Sequence, residues 1–278
     1  MRADLRLLAA ALPALAGSLL LMRQAGAGAT LLTQQIAVAV VSFAAVAMTW
    51  SREARNGTIP RPALALAIAT VLLWAPLWAS TLTGPERWLR VAGMRVYVAS
   101  MLLPAVVLVL ARALRPSASP PRWTWFVMPV ALWALAAQPD ASQATAFALA
   151  CTLPLWRASA TATAKGLVAG TLAAGVALAW WQPDPLLPVP YVEGVLDLAG
   201  AAGPVALVAA LAALALPLLM LTRQARASND TALLSVAIYY VAIDVLAWRQ
   251  LTPMPLLGFG AGPIVGYALM VAAARRRP

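Results

Sequence analysis

Residues 253–263 read Pro-Met-Pro-Leu-Leu-Gly-Phe-Gly-Ala-Gly-Pro. Pro253, Pro255 and Pro263 remove backbone donors, and Gly258, Gly260 and Gly262 loosen the chain, so the stretch cannot run as regular helix. Apolar runs flank it on both sides, at Thr231–Trp248 and Gly262–Ala274. Irregular backbone beside a bilayer persists only where protein or trapped water satisfies its polar groups. The stretch therefore predicts a buried, packed loop between the last two helices of a membrane bundle. Pro255, Gly258, Gly260 and Gly262 are its structural residues.

The composition agrees. Of 278 residues, 63% are hydrophobic and 10% charged, with mean hydropathy +0.82. A soluble domain carries about 25% charged residues, so this chain cannot cover a core with a polar surface. Ten apolar stretches are long enough to be spans or near-spans: Leu5–Met22, Leu31–Trp50, Pro62–Ser80, Val96–Ala113, Trp125–Ala137, Gln143–Trp156, Gly166–Trp181, Gly200–Leu221, Thr231–Trp248 and Gly262–Ala274. The fifth and sixth are separated only by Gln138–Ser142 and can also be read as one broken helix. The first follows Arg2 and Arg6 but has no good small-residue cleavage site ahead of a soluble domain, which argues against a signal peptide. The expected fold is an all-α transmembrane bundle of about ten spans in a single domain, 1–278. Its first four spans occupy 1–114 and its last six 123–278. Between them lies a Pro/Ser-rich linker at 115–122.

Topology follows from the basic residues. With the N-terminus in the cytoplasm, only Arg23, Arg87, Arg90, Arg95 and Arg249 of the 20 Lys and Arg fall outside. That bias is what the positive-inside rule demands, and it places both termini in the cytoplasm. The net charge of +11 thus reflects topology and gives no basic face for nucleic acid. The acidic residues lean the other way: Glu86, Asp140, Asp184, Glu193 and Asp197 lie outside, with Asp244 in the outer half of its span. Carboxylate chemistry would face outward.

Several classes are excluded. There is no histidine and a single cysteine, Cys151, so a transition-metal site lacks its preferred ligands and a Ser/His or Cys/His nucleophile cannot be built. Cys151 sits in an apolar run and reads as packing. No convincing internal repeat is present, which weakens a transporter made of two halves.

Five loops, taken in order, resemble the SEDS family of cell-division and cell-shape membrane proteins (FtsW/RodA/SpoVE). They are Gln34-Gln35 with Trp50-Ser51-Arg52, then Gly84-Pro85-Glu86-Arg87-Trp88-Leu89-Arg90, then Gln138-Pro139-Asp140, then Pro183-Asp184-Pro185, and last Met254–Ala261. The resemblance implies a bacterial inner-membrane protein of envelope biogenesis, division or shape. It further implies a lipid-linked glycan precursor as substrate and a membrane-anchored transpeptidase or other envelope protein as partner, besides the lipid bilayer itself. The family polymerises peptidoglycan precursor at the outer face, with an aspartate after the seventh helix as base.

This chain departs from that pattern. The long loop is reduced to about Gln182–Ala199, and the family's aspartate would fall at Val189 or Pro190. The glutamate that opens the fourth helix is missing from Tyr97-Val98-Ala99-Ser100. The last loop keeps its prolines and glycines but loses its hydroxyls. Reduced or absent catalysis is therefore expected.

The candidate residues follow. Glu193 and Asp197 are the nearest replacements for the catalytic base; four apart, they share a face if that segment is helical, and could then hold a divalent cation, with no other cofactor expected. Arg87, Trp88 and Arg90 are candidates for binding pyrophosphate or glycan, or are interfacial anchors. Asp140 either binds substrate or caps the sixth helix. Asp244, a carboxylate inside a span, should face a cavity or a cation. Three functions stay open: a reduced glycosyltransferase, a non-catalytic scaffold or regulator, and a solute or lipid transporter working through Asp244.

Overall fold

The computed structural model describes residues 2–56, 62–79, 86–91, 93–115, 121–184 and 186–275. Gly84, Pro85, Pro185, most of the 115–122 linker, and Arg61, Arg276 and Arg277 lie outside them, as do the side chains of Trp50, Ser51 and Arg52. Among the described residues the chain is all-helical apart from one short hairpin. In order the elements are α1 (Arg2–Gln24), α2 (Ala29–Asn56), α3 (Pro62–Ala79), β1 (Trp88–Val91), β2 (Met94–Tyr97), α4 (Val98–Ala113), α5 (Arg122–Ala137), α6 (Ala141–Arg157), α7 (Ala162–Trp181), α8 (Val195–Ala201), α9 (Pro204–Ser228), α10 (Thr231–Trp248) and α11 (Ala261–Arg275).

Each of the ten apolar stretches is helical over most of its described length. Five helices, α1, α2, α7, α9 and α10, are long and apolar enough to cross a membrane, while Ala63–Ala79, Val98–Ala113 and Ala261–Arg275 are apolar but shorter. Prolines lie within α1, α3, α4, α5, α6 and α9, a usage tolerated where neighbouring helices re-satisfy the freed backbone groups. The fifth and sixth stretches are two helices, broken at Gln138–Asp140.

Two features differ from the sequence reading. The stretch expected as one helix from Gly200 is interrupted at Gly203-Pro204. Gly203 takes φ +120°, a conformation open to glycine, and Pro204 opens α9 at its first position, where its missing N–H costs nothing. The piece before it becomes the separate short helix α8. The third interhelical loop, between α3 and α4, also forms a hairpin, with Trp88 opposite Tyr97, Leu89 opposite Val96, Arg90 opposite Arg95 and Val91 opposite Met94. Gly93, at φ +81°, supplies the turn.

The core lies along α4, α6, α10 and α11. There α4 and α11 meet at backbone distance. Gly262 and Gly266 are spaced as in a small-xxx-small contact, and a Cβ on either would run into Tyr97, Ser100 or Met101 of the facing segment. At the opposite end from the hairpin, Arg112 of α4 donates to the last carbonyls of α11, Ala273 O at 2.7 Å and Ala274 O at 2.8 Å. It also pairs with Asp230 at 3.0 Å, whose other oxygen caps α10 by accepting the Ala232 N–H. A cation thus meets the negative end of α11.

The Pro/Gly stretch is a buried loop held by its backbone hydrogen bonds. Met254 N–H donates to Val192 O at 3.1 Å and Phe259 N–H to Tyr191 O at 2.8 Å, while Gly258 N–H folds back to Met254 O at 2.9 Å. Gly258 has no space for a side chain, because a Cβ would strike Val192 O and Met254 O. From α2, the buried Gln35 amide donates to Gly258 O at 3.1 Å and to Ser18 Oγ at 3.1 Å, and it accepts from Gly260 N–H at 3.2 Å. One amide therefore serves both groups of the loop and joins it to α1. A Gln35→Leu substitution keeps the volume but strands these groups, at about 1–3 kcal/mol for each buried polar group left unpaired. We expect a clear fall in the melting temperature of the purified protein, and an unchanged value would show that the amide is not needed there.

Candidate functional site

Arg87 precedes β1 and is buried, at 4% exposure. All three of its guanidinium nitrogens donate to protein: Nε to Gln138 O at 3.1 Å, one Nη to Asp184 at 2.8 Å, and the other Nη to Pro139 O. The Arg87 fork thus grips the α5–α6 turn and ties it to the segment after α7. Asp140, 1% exposed, is the N-cap of α6, accepting the Gln143 N–H at 3.2 Å. Its other oxygen accepts from the Tyr97 hydroxyl at 2.5 Å. Gln143 in turn accepts from Tyr239 of α10 at 2.5 Å, and Gln138 donates its amide to Leu73 O of α3.

Burial pushes the Asp140 carboxyl above its ordinary range, against the opposing pull of Arg87, the Tyr97 hydroxyl and the Gln143 N–H. Burial also raises Tyr97, assisted by the Asp140 charge and opposed by Arg87. Arg87 itself loses charge stabilisation by burial, but Asp140, Tyr97 and Asp184 together more than restore it.

This cluster does one structural thing: it fixes the hairpin onto α5, α6 and α10. The hairpin is amphipathic. Side chains alternate across a strand, so Leu89, Val91, Met94 and Val96 share one face, and Trp88, Arg90, Arg95 and Tyr97 the other. Trp88 lies on Tyr97 with ring centroids 5.5 Å apart. Met94 and Val96 form one wall of an open groove of ≈ 860 Å³, completed by α2, the start of α4 and the start of α11. Apart from Thr30, Thr33, Gln34 and Ser42 its lining is apolar, and no Asp or Glu lines it among the described residues.

The expected site residues therefore divide. Arg87, Trp88 and Asp140 come together at one end of the bundle, with Arg90 exposed beside them. Asp184 belongs with them as the partner of Arg87. Glu193 feels the Asp184 charge but sits in the turn before α8, accepting the Val189 N–H at 2.9 Å, and burial pushes its carboxyl up. Because α8 begins only at Val195, Glu193 and Asp197 do not share a helical face, and Asp197 is held separately by Gln250. Among the described residues, no group of three or more His, Cys, Asp or Glu side chains could hold a metal ion. Asp244 is elsewhere again, facing a small cavity beside Tyr240.

Tyr97, Gln143, Tyr239 and Asp184 were not singled out as site residues by the sequence. The alternation Trp-Leu-Arg-Val, then Met-Arg-Val-Tyr, about a glycine is a hairpin signal and could have placed Tyr97 beside Trp88. Nothing in the sequence pattern pairs Asp184 with Arg87. The chain matches no family model and no curated protein.

Proposed function

We propose that this chain is a polytopic protein of the bacterial inner membrane, similar to the SEDS family. In this reading ten spans leave both termini in the cytoplasm, and the protein binds a lipid-linked glycan precursor without polymerising it, as a scaffold or regulator of an envelope complex. The supporting observation is the groove: large, apolar, open at the side, and lined by no carboxylate among the described residues. An apolar chain fits such a surface, whereas glycosyl transfer needs a base within hydrogen-bond reach of the attacking hydroxyl. The Arg87 guanidinium is spent on protein acceptors. Arg90 and Arg95 stand on the hairpin face away from Met94 and Val96, so a pyrophosphate head held by them would sit past the edge of the hairpin, outside the groove itself. These two lie directly opposite each other on the hairpin. Like charges so placed repel, and a bound anion would offset the repulsion.

The test uses protein in nanodiscs and a fluorescent polyprenyl-pyrophosphate disaccharide. Saturable binding above empty nanodiscs is expected, weakened roughly tenfold, about 1.4 kcal/mol, by Ala37→Trp, which fills the groove from an exposed position. Binding no greater than in empty discs would overturn the reading. Polymer made by the purified chain alone would overturn its non-catalytic part and return the reduced glycosyltransferase.

A further inference from the structure

Leu256, in the Pro/Gly loop, holds an unusual backbone. Its φ is +60°, and Leu257 N–H folds back onto Pro255 O at 2.6 Å. A bond between residues two apart, about a centre at positive φ, marks the rare and strained form of the γ-turn. A non-glycine residue stays in such a conformation only where its surroundings over-determine it. What holds Leu256, 3% exposed, is a half-open pocket of ≈ 10 Å³. There it meets Leu214, Pro217 and Leu218 of α9, Tyr240 and Asp244 of α10, and Tyr267 of α11.

Asp244 forms part of that seat. It follows Tyr240 by one turn, so both project from the same side of α10. Asp244 Oδ1 and Tyr240 Oη are fully buried, and among the described residues neither has a hydrogen-bond partner. No cation lines the pocket among those residues either. Leucine and proline are all that α9 and the loop contribute, and the Tyr267 hydroxyl of α11 is committed to Leu7 O at 2.6 Å. The helices α4 and α6, also packed on α10, form no part of the lining. The charges along α10 itself lie off the pocket: Asp230 pairs with Arg112 and Arg115 at its start, and Arg249 caps its end.

An ionised carboxylate without a partner is costly in apolar surroundings, and the negative end of the α10 dipole adds to the cost. The pocket has room for about one water-sized group, too little for a counter-ion with the oxygen ligands it needs. A proton needs no room.

We propose that Asp244 carries a proton in the folded chain, and that this proton keeps the Pro/Gly loop in its seat. With the carboxyl neutral, Leu256 can lie against it in an apolar pocket. When the proton passes to solvent, the remaining charge draws water in from the open side, and the strained turn loses the contacts that fix it. The order of the loop thus depends on pH through a residue on a neighbouring helix, whatever the groove binds. The seated pocket admits only the neutral acid, while an unseated one accepts either form. Unseating is therefore least favoured below the ordinary carboxylate range, about pH 4, and gains progressively as pH rises above it.

The experiment is amide hydrogen exchange on the full chain in nanodiscs, wild type against Asp244→Asn, at each pH from about 5 to about 9. Asparagine keeps the shape and cannot ionise. Comparing the two at the same pH cancels both the intrinsic pH dependence of exchange and the titration of Asp140. In peptides covering 253–263 the wild-type rate should rise relative to the variant by up to about tenfold per pH unit, while peptides of α4 and α6 keep a constant ratio. A loop ratio that stays flat with pH would overturn the proposal. So would a ratio that rises equally in α4 and α6, which would mean a general loosening and no local seat. Infrared difference spectra at neutral pH, wild type minus Asp244→Asn, give a readout independent of the loop. They should show the carbonyl band of a protonated carboxylic acid, and an ionised-carboxylate band in its place would overturn the proton directly.

Discussion

Gly266→Leu should prevent the protein from accumulating as a folded, monodisperse species in detergent. The reason is local and steric. A Cβ at Gly266 meets the backbone of α4 itself, at Ser100 O and Met101, and not the movable end of a side chain. Overpacking a core side chain costs about 1–3 kcal/mol, but here relief requires two helices to separate along their closest contact. Even Gly266→Ala should lower the melting midpoint measurably. Gly170 of α7, with open space around its would-be Cβ, is the internal control. Alanine there should be neutral or stabilising by up to about 1 kcal/mol, because alanine is the better helix former. Equal effects of alanine at the two positions, read by thermal size-exclusion, would show that the α4–α11 contact is looser than described.

Arg87→Ala should have the second largest effect. It leaves the carbonyls of Gln138 and Pro139 without their donor and removes the neutralising charge beside Asp140. Truncating one partner of a buried charge pair costs about 3–5 kcal/mol. Asp184→Asn should cost far less, about 1 kcal/mol or below, because the Asp184 side chain is 38% exposed and water screens it. That asymmetry separates a clamp on the α5–α6 turn from a simple ion pair. If the two variants lose equal stability, the carbonyl contacts contribute little.

The same cluster sets a pH dependence. The Asp140 carboxyl is raised above its ordinary value of 3.8 by burial, so the folded chain holds that proton more tightly than the unfolded chain. Its contribution is full below pH 3.8 and is lost as pH rises through the folded value. Relative to Asp140→Asn, which keeps the cap and cannot ionise, the wild type should gain stability as pH falls toward 3.8. A difference between the two that stays flat across that range would show that Asp140 is not raised.

The helices were legible because their signal is local. A run such as Pro204–Leu221 has few places to go other than a helix in an apolar environment, and the break at 253–263 announces itself by its prolines and glycines. The boundaries were less so. Gly203 was counted inside a helix because a single glycine in an apolar run is usually tolerated, and only the proline after it marked the true start. The hairpin was passed over because its two strands are four residues each and one opens with the tryptophan and arginine of an interfacial anchor. Partnerships were the least legible. Arg87 and Asp184 are separated by 97 positions, and Tyr239 and Gln143 by 96, and no periodicity encodes such pairings. Asp244 was expected to face a cavity or a cation because a carboxylate within a span has few alternatives, and it lines a small pocket with Tyr240. Glu193 and Asp197 were grouped on a spacing that holds only within a helix, and the helix starts between them.

Gln35 has a bearing on the order of assembly. Its partners Gly258 and Gly260 lie 223 and 225 positions further along the chain, and the Tyr267 hydroxyl reaches Leu7 O across 260. When α2 is synthesised, the residues that will satisfy its amide have not yet been made. Until α11 arrives, α1 and α2 must keep that polar group wet, solvated by lipid headgroups, or paired with Ser18 alone. The pair α1 and α2 is therefore completed only by residues made 223 or more positions later, and loss of α11 would be felt at α1 and α2.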